Sequence, residues 1–83
     1  MIKIYSKPDC PYCDRAKEWL DNNDISYQTV NIMEDSNAYD FIKSKGHRSV
    51  PQLYLGDELL VEGGYTGLVK EDPIKIKERI GWL

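Results

Sequence analysis

Apolar and polar positions alternate at the start of the chain. Ile2-Lys3-Ile4-Tyr5 has the two-residue period of a strand with one face buried. Ser6-Lys7-Pro8-Asp9 is loop-like, and Pro8 pushes Lys7 toward an extended backbone. Pro11 suits the first turn of a helix, where the missing N–H costs nothing. Beyond it Cys13, Ala16, Trp19 and Leu20 recur at helical spacing, and Asp21-Asn22-Asn23-Asp24 ends the run. Ile25 to Ile32, with Tyr27, Thr29 and Val30, predicts a second strand. Asp35-Ser36-Asn37 can cap a second helix, whose apolar stripe is Ala38, Phe41 and Ile42 and whose stop is Gly46. Val50 to Leu55 predicts a third strand with a proline near its start. Gly56-Asp57 is a turn signal, and Glu58 to Glu62 is the returning strand. Gly63-Gly64 breaks it. Thr66 is placed to cap a short turn of helix, and Asp72-Pro73 starts a last helix that carries Ile76 and Ile80 and ends near Gly81.

The order is β-α-β-α-β-β-α. A helix joins the first two strands, so they are expected to be parallel with a right-handed crossover. The last two strands form a hairpin. The fold class is therefore α/β, with a four-stranded mixed sheet and helices on both faces. No repeat, low-complexity tract or linker interrupts the chain, and residues 1–83 read as a single domain.

Composition narrows the function more than the fold. Charged residues make up 30% and hydrophobic residues 41%, which is ordinary for a globular chain. Eleven basic against fourteen acidic side chains give a net charge of −3, which supplies no footprint for nucleic acid. The apolar runs fall well short of the roughly 18 residues a membrane span needs. Met1 to Tyr5 lacks the apolar stretch of a secretory leader, so a cytoplasmic location is expected.

Only two cysteines are present, Cys10 and Cys13. A disulfide closing so short a loop constrains the unfolded chain little, so it is a poor staple. A structural zinc site needs four ligands, and the chain offers only one histidine, His47, besides the pair. No metal is expected. Cys10-Pro11-Tyr12-Cys13 follows a strand and opens a helix, which is the context redox chemistry needs. Free N–H groups and the dipole at a helix start favour an anion, and thiol pKa values in such motifs fall to about 3.5–7.5. Cys10 at the helix start reads as the nucleophile. Cys13, one turn further in, reads as the thiol that resolves a mixed disulfide. Lys7 adds a positive charge nearby. Burial of both thiols as inert core residues is the alternative reading of the pair. His47 reads as an exposed polar loop residue.

With this pair placed, the chain resembles a glutaredoxin, a family of the thioredoxin-fold superfamily. The likeness rests on Lys7-Pro8-Asp9-Cys10-Pro11-Tyr12-Cys13, on Arg48-Ser49-Val50-Pro51-Gln52-Leu53-Tyr54, on Gly63-Gly64-Tyr65 and on the element order. It implies thiol–disulfide exchange with glutathione as reductant, on protein disulfides and glutathione mixed disulfides. It implies that Pro51 is cis and lies beside Cys10, with the Val50 backbone pairing with bound glutathione. Lys7 and Arg48 match positions near the glycyl carboxylate, and Tyr12 matches the aromatic of the groove. Ser49, Gly64 and Tyr65 fall on the same groove, and Thr66 matches the position that holds the γ-glutamyl carboxylate. Ribonucleotide reductase is a common partner of the family, and a monomer is expected.

The chain departs from the pattern at one place. Many members carry an acidic residue where this one has Gly67, so a contact to glutathione's amino group is lost or supplied elsewhere. Two other readings stand beside the first. One is a thioredoxin-like donor reduced by a flavin reductase. The other is a dimer bridging an iron–sulfur cluster through Cys10, which Pro11 is expected to disfavour.

Overall fold

The computed structural model describes residues 1–81. The sheet has the order β2-β1-β3-β4, formed by β1 (Ile2–Ser6), β2 (Tyr27–Asn31), β3 (Gln52–Leu55) and β4 (Glu58–Leu59). β1 and β2 are parallel, while β1–β3 and β3–β4 are antiparallel, so the sheet is mixed as expected. Ile4 stands opposite Thr29 on one side and Leu53 on the other. Four helices complete the order: α1 (Pro11–Asn22), α2 (Ser36–Ser44), α3 (Gly64–Leu68) and α4 (Pro73–Arg79).

Strand alternation sorts the core into two layers. Ile2, Ile4 and Leu53 point to one face and pack with Ala16 and Leu20 of α1, Leu68 of α3 and Ile76 of α4. Tyr5 and Tyr54 point to the other face and meet Ala38 and Ile42 of α2. The second layer is aromatic: Tyr5 stacks on Phe41 at 5.4 Å, and the Tyr54 ring meets both edge-on.

The caps explain the helix limits. Asp35 accepts the Ala38 N–H at 3.1 Å and starts α2, and Asp72 accepts the Ile74 N–H at 2.9 Å and starts α4. Asn23 closes α1, its side-chain amide donating to the Trp19 carbonyl at 2.8 Å.

Three expected boundaries move. The third strand begins at Gln52 rather than Val50, because Pro51 has no N–H for a ladder. The second strand starts at Tyr27. Ile25 is instead buried in the core, its N–H donating to the Leu20 carbonyl. The returning strand stops at Leu59. Leu60 still donates its N–H to Leu53, but its carbonyl accepts from the Arg79 guanidinium at 2.9 Å, and Leu60 and Val61 turn into the core. Both side chains join the same aliphatic layer, whereas neighbours on a strand point to opposite faces, so the ladder ends there.

Two predictions concern stability. Leu53 is fully buried, and Leu53→Ala should lower the unfolding free energy by about 2–5 kcal/mol in urea titrations. Ile74, 59% exposed, should cost under about 0.5 kcal/mol when replaced by Ala, and equal losses at the two sites would contradict this core. Burial, then the Asp35 and Asp57 charges, raises the Tyr5 pKa above the usual value near 10. Burial, then Tyr5, does the same for Tyr54. A raised folded pKa means the folded chain keeps protons that the unfolded chain releases. Stability should therefore hold below about pH 10 and fall as pH rises through the raised values. Tyr5→Phe should flatten part of that alkaline fall, and an unchanged slope would remove Tyr5 as its source.

Candidate functional site

Cys10 is the N-cap of α1, with φ −114° and ψ 99°. Its Sγ accepts the Cys13 backbone N–H at 3.2 Å, one of the donors that the first turn of a helix leaves free. Pro11 follows at the first helical position, where no donor is lost. Cys10 and Cys13 are joined as a disulfide, with their Cα atoms 5.2 Å apart. Cys13 is fully buried, whereas Cys10 retains 7% exposure. Cys10 is thus the more accessible of the two, and Cys13 is enclosed. The N–H that caps the helix also stands ready to stabilise a Cys10 thiolate.

The 49–51 segment lies across this sulfur. Cys10 Sγ is 3.8 Å from the Val50 carbonyl oxygen, and the next peptide bond is the cis Val50–Pro51 link. Pro51 in turn touches α3. A Cβ on Gly64 would come within 2.6 Å of the Pro51 carbonyl oxygen, and Gly64 has φ +57°, so no side chain fits.

A groove of about 400 Å³ runs beside the pair, lined by Tyr12, Ser49, Val50, Pro51, Gly64, Tyr65 and Thr66, with Gln52 and Gly63. Seven of the nine residues expected to hold glutathione are thus brought together. Tyr12, 52% exposed, forms one wall, its ring 6.0 Å from that of Tyr65 and covered by the Arg15 guanidinium at 5.3 Å. Lys7 and Arg48, the other two, line a separate hollow of about 570 Å³. Ser49 and Val50 border both spaces.

Two local expectations change. Thr66 does not cap α3. Gly63 is the N-cap, with φ +84°, and the Thr66 hydroxyl donates to the Gly63 carbonyl at 2.8 Å from inside the first turn. A left-handed residue directly before the helix leaves the capping position to glycine. His47 is not a free loop residue. Its Nε2 lies 2.6 Å from the buried Tyr54 hydroxyl, which ties the loop before Arg48 to β3. Gln52 was not singled out from the sequence. Its buried side-chain amide donates to the Ser49 carbonyl at 2.9 Å and fixes the groove wall. Only a polar residue inside an apolar strand hinted at such a role.

Among the described residues, no cluster of three or more His, Cys, Asp or Glu side chains forms a metal site, and no helix is long and apolar enough to cross a membrane.

The glutaredoxin family model matches residues 2–60, which include the Cys10–Cys13 pair and the cis-proline segment. The chain belongs to the glutaredoxin family. It is 36% identical over 62 residues to an uncharacterized glutaredoxin-like 8.6 kDa protein in the rubredoxin operon of Clostridium pasteurianum, covering 74% of this chain and 83% of that one. It is 40% identical over 57 residues to glutaredoxin 3 of Escherichia coli K12, covering 65% of this chain and 66% of the relative. The glutaredoxin-like protein NrdH of Lactococcus lactis is 30% identical over 57 residues, covering 69% of this chain and 79% of that protein. Among solved structures, a buckwheat glutaredoxin–glutathione complex superposes with a TM-score of 0.68 at 27% identity, covering 99% of this chain and 71% of its own. NrdH-redoxin from Escherichia coli, described by its thioredoxin-like activity profile, shares the fold with a TM-score of 0.70 at 23% identity, covering 93% of this chain and 91% of its own.

Against this family background Gly67 has a physical cause. A Cβ there would overlap the Glu62 carbonyl oxygen. The turn of α3 is pressed onto the backbone that leads into it, and the position admits glycine alone. Gly67→Asp therefore cannot simply restore an acidic contact. Both Gly67→Ala and Gly67→Asp should destabilise the fold by about 1–3 kcal/mol, as overpacking does. Urea midpoints equal to wild type for both variants would disprove the close approach.

Proposed function

We infer that this glutaredoxin-family chain is a glutathione-dependent thiol–disulfide oxidoreductase acting on protein disulfides and on glutathione mixed disulfides. The observation that supports this most is the groove of Tyr12, Val50, Pro51, Tyr65 and Thr66 running beside Cys10. The buckwheat relative was solved with glutathione bound, which adds weight to the same ligand here. In this reading Lys7 and Arg48 attract the glycyl carboxylate from the adjoining hollow, and Ser49 and Gly64 shape the groove. At the γ-glutamyl end, backbone N–H groups at the start of α3 donate to the carboxylate, and the Thr66 hydroxyl, whose proton goes to the Gly63 carbonyl, accepts from the ammonium group. The reading fits a monomer of the cytoplasm, with ribonucleotide reductase among its protein substrates. No resident metal takes part.

The reaction begins with the dithiol. The Cys10 thiolate attacks one sulfur of the substrate disulfide, that bond breaks, and the departing thiolate takes up a proton. For a protein disulfide, Cys13 loses its proton and attacks the Cys10 sulfur. The Cys10–Cys13 bond forms and the second substrate thiolate is released. Two electrons have passed to the substrate. Glutathione thiolate then attacks Cys10, the Cys10–Cys13 bond breaks and Cys13 leaves and takes up a proton. A second glutathione thiolate attacks the bound glutathione sulfur, Cys10 leaves as thiolate and glutathione disulfide departs. For a glutathione mixed disulfide, Cys10 attacks the glutathione sulfur and the protein thiol leaves. Cys13 is not required.

Gly67 favours a second reading. With no acidic side chain there and no room for one, hold on the glutathione amino group is weakened. A thioredoxin-like donor reduced by a flavin reductase would not need that contact, and the NrdH-redoxin of the same fold has a thioredoxin-like profile.

Reduction of a low-molecular-weight glutathione mixed disulfide, coupled to glutathione and glutathione reductase, tests both. Wild type should turn over, Cys10→Ser should fall to background, and Cys13→Ser should keep a large part of the rate. Cys13→Ser should lose reduction of an insulin-type protein disulfide. Full activity in Cys10→Ser would sink the mechanism. Turnover with a thioredoxin reductase but none with glutathione would replace the first reading by the second.

A further inference from the structure

The larger hollow has chemistry of its own. It is bounded by the loop carrying Lys7, the end of β2, α2 and the loop before the cis proline. Three cations line it, Lys7, Lys43 and Arg48, and no carboxylate does. None of the three is in an ion pair among the described residues. This gathers positive charge on a chain whose net charge is −3. Its apolar part comes from Met33 and Tyr39, 67% and 46% exposed, together with Ile32 and Ile42. Its volume, about 570 Å³, exceeds that of the glutathione groove.

The position ties it to the reacting sulfur. Ser49 and Val50 form the wall common to both spaces, and the Val50 carbonyl oxygen is 3.8 Å from Cys10 Sγ. Residues 49–51 lie outside the β3 ladder, leaving backbone beside Cys10 for an incoming chain to run along. A polypeptide cysteine joined to Cys10 can therefore continue away from the glutathione groove and into the basic hollow. Lys43 and Met33 line the hollow and not the groove, which suits them to a partner longer than glutathione. Three cations around an apolar floor suit a short acidic segment better than a continuous phosphate backbone.

We propose that this hollow docks the chain segment flanking the reactive disulfide of protein substrates, and that it selects segments with carboxylates and one apolar or aromatic side chain. The proposal rests on disulfide exchange at Cys10 but not on the choice of reductant. Lys43 acts as a specificity residue, attracting a substrate carboxylate, and takes no part in bond making.

Pre-reduced protein and synthetic peptides separate these points. Each peptide carries one intramolecular disulfide and an adjacent Tyr-containing flank, acidic in one peptide and amide-matched (Asn and Gln) in the other. Reduction oxidises Cys10–Cys13 and converts the peptide to its dithiol, so acid-quenched mass spectrometry gives the rate directly. The acidic peptide should react about tenfold faster at low salt, and the advantage should shrink at high ionic strength. Lys43→Glu and Lys43→Gln should remove most of that preference while the amide-matched peptide keeps its rate. Equal rates for the two wild-type peptides, or equal loss on both peptides in the Lys43 variants, would overturn the docking role. Failure of both peptides to react with wild type would overturn exchange itself, and the docking role with it.

Discussion

Backbone lies directly on backbone where Pro51 meets Gly64, and the site depends on that contact. A side chain at position 64 would push α3 off the 49–51 segment. The groove would lose its narrow floor, and the Val50 carbonyl would no longer be held against Cys10 from behind. Gly67 repeats the device one step on, where the turn of α3 presses against the Glu62 carbonyl. Two glycines thus let α3 lie close against the backbone on either side of it, and one of those segments, 49–51, sets its Val50 carbonyl beside the Cys10 sulfur. That segment presents a main-chain group and needs no side chain to do it. A site built this way offers polar main chain beside the sulfur, as the open edge of a sheet does.

The sheet makes that arrangement rigid. β1 delivers the loop to Cys10, and its antiparallel neighbour β3 begins two residues after Val50. Both strands are held from two sides, by the aliphatic layer under α1 and the aromatic layer under α2. His47 extends the second layer outward by bonding to Tyr54, so the loop carrying Arg48 and Ser49 is tied to the core rather than hanging from it. Gln52 adds a second tie, from β3 to the Ser49 carbonyl.

Legibility followed the range of the forces involved. The period-two run at Ile2 to Tyr5, the Pro11 helix start and the Asp35 and Asp72 caps are local, and each appears where its residues put it. The Cys10–Cys13 pair was readable because its chemistry needs only a helix start and a spacing. Long-range competition was not readable. Nothing near Leu60 announces that Arg79, nineteen residues away, takes its carbonyl and that Val61 turns inward beside it. Thr66 has the composition of a cap, yet the left-handed Gly63 before it decides the cap from the backbone. His47 looked like a loop residue because its partner, Tyr54, is reached only after the chain reverses.

The Ser49–Val50 wall gives the molecule its two-sided character. On one side lies a small groove with aromatic walls, and on the other a wider hollow with cations over an apolar floor. One sulfur lies beside the wall they share, so under the proposed function a reductant and a substrate approach Cys10 from the two sides of Val50. The two differ in what they must carry: a small reductant has only its own termini, whereas a polypeptide brings neighbours. Gly67 follows Thr66, which lines only the groove. Lys43 lines only the hollow. Under the proposed function the two positions bear on different partners, while Lys7 and Arg48 in the hollow serve both, and Cys10, Cys13 and the cis Pro51 are common to all.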